Sequence, residues 1–192
     1  MRYDLVVLAG GGARRLGGAD KPALPLANGP SSLERVLAGC GGAARVVVVG
    51  PRRPVAVPVK PRWTVESPPG SGPLSAVAAA IPLTSAAVVV VVAADMPLMP
   101  RAVPHLVRTV LDSDADAAVL VDDRGVRQPL AAAYRRERLV QRMQAIGDPA
   151  GRPARLLLED ASVTGVPVAW GAAADFDTWP DRRRIEELLR DE

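Results

Sequence analysis

Continuous apolar runs alternate along this chain with segments in which apolar residues recur every three or four positions. Runs of valine, leucine and alanine predict three strands, at Asp4–Leu8, Arg45–Val49 and Ala87–Ala93. Such runs are typical of strands that are buried on both faces of a parallel sheet. Helices are predicted between and after these runs, at Ser32–Ala38, Leu74–Ile81 and Arg101–Leu111. The alternation predicts a three-layer α/β/α fold with a mostly parallel sheet.

The pattern changes in the second half of the chain. A strand is predicted at Ala117–Val121, and turn-forming residues separate it from an antiparallel partner at Gln128–Tyr134, which gives the sheet a mixed edge. The remaining predicted elements are helices at Arg136–Ile146 and Arg152–Glu159, a strand at Val163–Val168 and a last helix from Pro180 to Arg190. Because no repeat, linker or low-complexity segment interrupts the pattern, we expect residues 1–192 to form a single domain.

The first strand leads directly into a glycine-rich segment, LAGGGARRLGGADK, at residues 8–21. This segment holds five glycines and three cationic residues. One or two glycines would be enough for a strand-to-helix turn, so the composition favours a phosphate-binding loop. Glycines let the backbone pass close to a ligand, and their N–H groups can form an anion-binding concavity.

Two common phosphate-binding motifs do not fit this segment. The dinucleotide-binding motif G-x-G-x-x-G needs a third glycine for close helix–sheet packing, and Arg15 occupies that position. The P-loop needs a lysine and a hydroxyl residue after its last glycine, but Gly18 and Ala19 follow Gly17. The segment instead resembles the signature loop of nucleotidyltransferases. On that interpretation Arg15 and Lys21 bind a triphosphate, with Lys21 near the α-phosphate, where charge develops during displacement.

A nucleotidyl-transfer site also needs carboxylates, because the Mg²⁺ that offsets the charge of a triphosphate is held by one or two of them. Asp95 follows the most apolar run of the chain, and ligands of open α/β sheets bind outside the carboxyl ends of the strands. A helix-capping role is the alternative, but the next helix is expected to begin only near Pro100. We therefore expect Asp95 to bind the metal and to act in catalysis with Arg15 and Lys21.

A second pair of carboxylates lies in the segment ADFDTWPD near the end of the sequence. Asp175 and Asp177 are two positions apart, which places them on the same face of an extended segment. Two like charges on one face suggest a nearby cation, although Asp177 or Thr178 could instead cap the last helix. We expect Asp177 to be the second metal ligand.

Composition and charge argue against several other classes of protein. The net charge is +3, but acidic residues lie among the cationic ones and aromatic residues make up only 3% of the chain, so we expect no nucleic-acid partner. The single cysteine, Cys40, excludes a disulfide framework and a cysteine-based zinc site. The longest strongly apolar run has nine residues, against the ~20 of a membrane-spanning helix, so we expect no membrane association and a cytoplasmic location.

Five segments occur in an order that resembles a known family: LAGGGARRLGGADK, GSGPLSAV, AADMPLMP, RQPLAAAYR and DFDTWPD. Together they resemble the molybdenum cofactor guanylyltransferase family, within the nucleotidyltransferase superfamily and its Rossmann-like fold. The resemblance implies Mg²⁺-dependent transfer of GMP from GTP to molybdopterin carrying molybdenum, with release of pyrophosphate. It also implies a monomer that makes transient contact with molybdoenzymes or cofactor chaperones.

The resemblance also implies a role for individual residues. It places the first residues of the glycine-rich segment at the guanine, Arg15 and Lys21 at the phosphates, and Asp95 at the magnesium. It places Arg127 and Gln128 at the pterin pocket. The nucleotide- and cofactor-binding residues expected are Leu8, Ala9, Gly10, Gly11, Gly18, Lys21, Glu66, Ser67, Gly72, Arg127 and Gln128.

The chain departs from the family pattern in three places. The family usually has an acidic residue before the PPG-type loop, where this chain has Glu66 followed by Ser67, and either could take that role. Many members have asparagines where this chain has Asp175 and Asp177, and the added negative charge suits a metal. After the second strand the family often has an asparagine near the base, whereas Gly50 offers only backbone groups.

Two alternatives stay open on the sequence alone. The first is a cytidylyltransferase, or another NTP transferase that acts on a different small phosphate, because base choice depends on only a few loop contacts. The second is a non-catalytic protein that binds nucleotide or cofactor for delivery. The presence of both Asp95 and Asp177 favours an enzyme.

Overall fold

The structure is a computed structural model that describes residues 2–10, 18–167 and 171–190. Seven strands form one sheet. Their bounds are β1 (Asp4–Leu8), β2 (Arg45–Val49), β3 (Arg62–Thr64), β4 (Val88–Ala93), β5 (Ala117–Val121), β6 (Arg127–Arg135) and β7 (Val163–Pro167).

The strand order is β3-β2-β1-β4-β6-β5-β7. β1 pairs in parallel with β2 and β4, β2 pairs in parallel with β3, and β5 pairs in parallel with β7. β6 lies between β4 and β5 and is antiparallel to both. The predicted fold class is therefore confirmed, with the mixed part in the second half of the chain. The amino end of β6 and the carboxyl ends of the other strands share one edge of the sheet, which we call the carboxyl edge.

Helices cover both faces of the sheet. Their bounds are α1 (Ser32–Gly39), α2 (Pro73–Ala80), α3 (Val103–Leu111), α4 (Arg136–Ile146) and α5 (Trp179–Arg190). α1 and α3 pack with the strand residues of one face, and α2 and α4 with those of the other. Neighbouring strand residues such as Val6 and Val7 are both buried, which explains why the strands read as continuous apolar runs.

A third apolar cluster lies apart from the two sheet faces. Its buried members are Leu26, Leu98, Phe176, Ile185 and Leu189. It joins α5 to the segment after the glycine-rich loop and to the segment after β4. These three parts of the chain, far apart in sequence, are thereby held together beside the carboxyl edge.

The predicted elements differ from the structure in two main places. β3 was not predicted, and the predicted helix Arg152–Glu159 is only a 3-10 helix at Ala154–Leu157. In that turn the N–H groups of Leu156 and Leu158 donate to carbonyls three residues earlier, at 3.2 and 3.0 Å, which is the 3-10 pattern. Val168, the predicted last residue of its strand, lies outside the described residues. Within the part of the chain that the structure describes, no helix is both long and apolar enough to cross a membrane.

Candidate active site

Three segments bring charged side chains together at the carboxyl edge. Lys21 lies in a short 3-10 helix, Lys21–Ala23, Asp95 follows β4, and Asp177 precedes α5. The Nζ atom of Lys21 lies 2.5 Å from Oδ2 of Asp95 and 2.7 Å from Oδ1 of Asp177. The three site residues that were predicted from separate motifs thus form one cluster.

The backbone just before Asp95 is fixed by its neighbours. The N–H of Ala94 donates to the carbonyl of Leu8 at 2.9 Å, which ties this turn to the end of β1. The hydroxyl of Ser32, at the start of α1, donates to the carbonyl of Ala94 at 2.6 Å. Because Ser32 is fully buried, water does not compete for this bond, and the position of Asp95 is set by both β1 and α1.

Neither of the two carboxylates that contact Lys21 caps a helix. The residue before α3 is Ala102, well after Asp95, so the capping alternative for Asp95 is wrong. At α5 the cap is Thr178, whose hydroxyl oxygen accepts from the N–H of Asp181 at 3.4 Å and whose own N–H donates to Oδ2 of Asp181 at 2.9 Å. Thr178 therefore caps the helix, and the carboxylate of Asp177, its neighbour, is available to pair with Lys21.

Phe176 determines where the two neighbouring carboxylates point. Its ring is fully buried in the third apolar cluster, whereas Asp175 and Asp177 on either side are exposed. One carboxylate oxygen from each of Asp95, Asp175 and Asp177 lies within 4.8 Å of the other two. The structure thus adds Asp175, which the sequence analysis paired with Asp177 but did not assign to the metal.

The Lys21 ammonium is held in a largely enclosed position. Its side chain is 11% exposed, and Nζ lies 5.2 Å from the centre of the Phe176 ring, within the range of a cation–π contact. Burial lowers the pKa of Lys21, but the attraction of Asp95 and Asp177 more than offsets this, so its pKa lies above the ordinary value. Lys21 is a persistent cation at this site.

The three carboxylates fit a divalent metal ion. Desolvation raises the pKa of Asp175, and the charges of Asp95 and Asp177 raise it further, against a smaller opposing effect of Lys21. With all four groups ionised, three carboxylates and one ammonium leave an excess of negative charge that a divalent cation would neutralise. Carboxylate oxygens are the ligands that Mg²⁺ prefers, so both the charge of the cluster and its donor atoms suit Mg²⁺.

Glu66, after β3, faces the first glycine of the loop. The residue is 8% exposed, and Oε1 accepts a hydrogen bond from the N–H of Gly70 at 3.0 Å. A Cβ atom on Gly10 would lie 3.5 Å from the same oxygen. Ser67, the other candidate for the acidic position, is exposed. The buried carboxylate beside the loop is therefore that of Glu66.

The other predicted binding residues lie in different surroundings. Leu8 and Ala9 are buried at the end of β1, and Gly10 is exposed. Gly72 precedes α2 with a φ of 103°, and Gly18 has a φ of 82°. Both values fall in the region that favours glycine.

The two residues predicted for the pterin pocket begin β6, at the carboxyl edge. Arg127 is exposed, and the side-chain amide of Gln128 donates to Oδ2 of Asp122 at 2.9 Å. Gly11 and Arg15 lie outside the described residues, so their predicted roles stay predictions. A feature that the sequence analysis missed is the ion pair of Asp20 with Arg53, for which no motif gave a signal.

Residues 5–163 match the model of the MobA-like NTP transferase domain family. The chain belongs to this family. Membership confirms the family resemblance and the nucleotidyltransferase class that the motifs predicted.

A curated relative within this family carries a specific name. The chain is 32% identical over 126 residues to a molybdenum cofactor guanylyltransferase of Shewanella sp. (strain MR-4). The match covers 64% of this chain and 64% of the relative. The chain therefore spans somewhat less than two thirds of the length of that relative in the match.

Solved structures show the same fold over nearly the whole chain. Molybdopterin-guanine dinucleotide biosynthesis protein A from Archaeoglobus fulgidus superposes with a TM-score of 0.75 at 23% identity, covering 100% of both chains. The 2-C-methyl-D-erythritol 4-phosphate cytidylyltransferase from Thermus thermophilus has a TM-score of 0.69 at 21% identity and covers 96% of this chain and 98% of its own. At these identities the likeness concerns the fold alone.

Proposed function

We propose that this protein transfers GMP from GTP to a molybdopterin cofactor, with Mg²⁺, and releases pyrophosphate. The observation that carries the proposal is the contact of Lys21 with Asp95 and Asp177 at the end of the glycine-rich loop. A cation beside a carboxylate cluster, next to a loop of this composition, is what transfer at a phosphorus atom requires. The name of the curated relative supports the same reaction.

The proposed reaction is a displacement at the α-phosphorus of GTP. A phosphate oxygen of the pterin forms a new bond to the α-phosphorus, and the bond from that phosphorus to the bridging oxygen of the β-phosphate breaks. Pyrophosphate leaves with the electron pair of the broken bond. The product carries a pyrophosphate link between the pterin and guanosine, with one phosphate from the pterin and one from GTP.

In this proposal, the loop and the carboxylates have separate tasks. The loop backbone and Arg15 bind the phosphates, and in the nucleotide complex the ammonium of Lys21 contacts the α-phosphate, where negative charge develops. Asp95 and Asp177 would hold the magnesium, with Asp175 as a third donor. Magnesium bound there would offset the charge of the triphosphate and polarise the phosphorus centre.

The proposed choice of guanine rests on Glu66. The Watson–Crick edge of guanine presents two neighbouring N–H donors, and a carboxylate can accept both. Glu66 is buried and lies beside Gly10, where the base would enter. Cytosine offers an acceptor where guanine offers its ring N–H, so the same carboxylate disfavours it.

The proposal extends to the setting of the reaction. Arg127 and Gln128 would contact the pterin, because β6 begins at the carboxyl edge beside the end of β4. The single domain and the cytoplasmic location are expectations from the sequence pattern, whereas the monomeric state and the transient contact with molybdoenzymes or cofactor chaperones are implied by the family resemblance. None of these points affects the chemistry of the site.

Pyrophosphate release tests the proposed reaction directly. The chain is incubated with Mg²⁺, molybdopterin carrying molybdenum, and each common nucleoside triphosphate in turn. We expect release with GTP and loss of at least ~10²-fold in kcat for Asp95→Asn. Asp114→Asn, at an exposed aspartate of the α3–β5 connection, is the control and should keep the rate. Preference for CTP would overturn the guanylyl assignment, and an unchanged rate in Asp95→Asn would overturn the role of Asp95.

Base selectivity has its own variant. Glu66→Gln keeps the size of the side chain and replaces one acceptor oxygen by a donor. We expect kcat/KM for GTP to fall by ~10- to 100-fold, because a donor then faces a donor of guanine. Ser67→Ala is the matched control and should leave the preference for GTP intact. If Ser67→Ala rather than Glu66→Gln changes the preference, Glu66 is not the base-reading residue.

A further inference from the structure

One side chain, that of Arg53, joins the two described flanks of the glycine-rich loop. Its Nη1 donates to the carbonyl of Ala9 at 2.9 Å, before the loop. Its Nε and Nη2 donate to the two carboxylate oxygens of Asp20, each at 2.7 Å, after the loop. A single guanidinium therefore fixes the separation of the two ends of the segment that would surround the phosphates.

The backbone around Arg53 supports the first flank as well. The carbonyl of Val49 accepts a hydrogen bond from the N–H of Ala9 at 2.7 Å. Gly50 has a φ of +141°, and a Cβ atom there would lie 2.7 Å from the carbonyl carbon and oxygen of Ala9. The segment after β2 can approach the loop this closely only because it carries glycine at that position. Nη1 of Arg53 also donates to the carbonyl of Pro51 at 2.9 Å, which orients the guanidinium.

Arg53 is held more firmly than the arginine of an ordinary surface ion pair. Its side chain is only 10% exposed, and the contact with Asp20 is bidentate. Such parallel hydrogen bonds fix direction as well as distance. Asp20 is 52% exposed, so screening by water weakens the charge attraction. The main consequence of the contact is geometric.

The constraint on Asp20 reaches Lys21 through one peptide bond. Lys21 is the residue that contacts Asp95 and Asp177. A displacement of Asp20 therefore moves the backbone that carries the Lys21 ammonium. Reactions of this kind are sensitive to placement, and a misplacement of ~1 Å can cost ~10²-fold in rate.

We propose that Arg53 is a positioning residue of the nucleotide site, which holds both flanks of the glycine-rich loop and thereby orients Lys21. The kinetic part of this inference rests on the proposed nucleotidyl transfer, and the structural part rests on the contacts alone. Arg53 acts through Ala9 and Asp20, because four of its five N–H groups donate to these two residues and to Pro51.

Amide hydrogen exchange tests the structural part without any substrate. Exchange is followed in peptides that cover residues 2–10 and 18–26 of the full chain. In Arg53→Ala and in Asp20→Asn we expect exchange to become ~10-fold faster at the flank that each variant releases, since local opening becomes easier. Arg53→Lys should show a smaller increase, because lysine cannot make the bidentate contact. Arg52→Ala, at the exposed neighbour, is the control and should leave exchange unchanged.

Steady-state kinetics with GTP test the kinetic part. We expect Arg53→Ala to lower kcat by ~10- to 100-fold and to change KM for GTP less, because misplacement of Lys21 acts mainly on the transition state. Asp20→Asn should reproduce most of this loss. The double variant should lose little more than Arg53→Ala, because both changes break the same contact. A loss of folded protein alone would lower kcat in proportion to the folded fraction, which thermal melting measures.

Each outcome decides the proposal. Unchanged exchange at both flanks in Arg53→Ala and Arg53→Lys would overturn the structural part. A full rate in Asp20→Asn, or additive losses in the double variant, would mean that Arg53 contacts the substrate itself and would overturn the kinetic part. If the wild-type chain transfers no nucleotide at all, the proposed function fails, and the exchange measurement still decides whether Arg53 holds the loop.

Discussion

Because Lys21 contacts two carboxylates, we expect its replacement to have opposite effects on metal affinity and on the rate of turnover. In Lys21→Met the ammonium is lost while an apolar stem of similar length remains. The carboxylates of Asp95, Asp175 and Asp177 then lie close together without their internal cation. We expect this variant to bind a divalent cation more tightly than the wild type and to transfer nucleotide more slowly.

The magnitude follows from the two ion pairs. A metal that enters between the carboxylates must displace the ammonium, which lies 2.5 Å from Asp95 and 2.7 Å from Asp177. The side chain of Asp177 is 52% exposed and that of Asp95 is 22% exposed. Screening by water therefore limits the free energy of each ion pair to the upper end of the range found for surface ion pairs. Together they give about 1 to 2 kcal/mol, which corresponds to a Kd that is roughly 5- to 30-fold lower in the variant.

Isothermal titration with Mn²⁺ in the absence of nucleotide measures this affinity. Lys60→Met is the matched control, because Lys60 is the other lysine of the chain and is exposed. A simple loss of folding would weaken metal binding and turnover together. If Lys21→Met binds Mn²⁺ no more tightly than the wild type, the ammonium does not compete with a metal for these carboxylates. If neither protein binds Mn²⁺, the assignment of the cluster as the metal site is wrong.

Two further predictions concern stability. Gly50→Ala should lower the free energy of unfolding by about 2 to 4 kcal/mol, because φ is +141° there and the new Cβ would lie 2.7 Å from Ala9. Urea unfolding measures this loss of stability. The control is Gly125→Ala, which has a φ of +79° and nothing within 4 Å of the new Cβ, and it should cost only about 1 kcal/mol. Equal losses in the two variants would show that the close contact with Ala9 does not contribute. In buffer free of divalent cations, Asp175→Asn should raise Tm at about pH 7. The pKa of Asp175 is raised by desolvation and by the nearby carboxylates, so its ionised form opposes folding at pH values above the ordinary pKa of about 3.9. The gain should disappear as the pH falls below that value, and a gain that does not depend on pH would contradict the assigned cause.

Much of the fold could be predicted because its central strands are buried on both faces. β1, β2 and β4 consist almost entirely of apolar residues, so their positions were evident from composition alone. β3 escaped prediction because it has three residues, Arg62–Thr64, none of them buried, and pairs with one neighbour only, β2. The helix predicted at Arg152–Glu159 contains Pro153, and only a 3-10 turn forms after it.

The candidate site was predictable where a motif marks the end of a strand. Asp95 was found because it follows β4, and Lys21 because it ends the glycine-rich segment. The contribution of Asp175 depends on how Phe176 enters the third apolar cluster, which is a property of tertiary packing. The contact of Asp20 with Arg53 joins two irregular segments, and no periodicity or spacing rule relates such segments before the chain is folded.

The most direct test of the proposed function is the identity of the product. The chain is incubated with Mg²⁺, molybdopterin carrying molybdenum and GTP labelled at the α-phosphate. The pterin fraction is then separated, and its mass is determined by mass spectrometry. We expect a labelled pterin that has gained one GMP, formed in equal amount with pyrophosphate, and no such product from Asp95→Asn. Label that appears only as free GMP, or a pterin that gains CMP in preference when CTP is supplied with GTP, would contradict the proposed function.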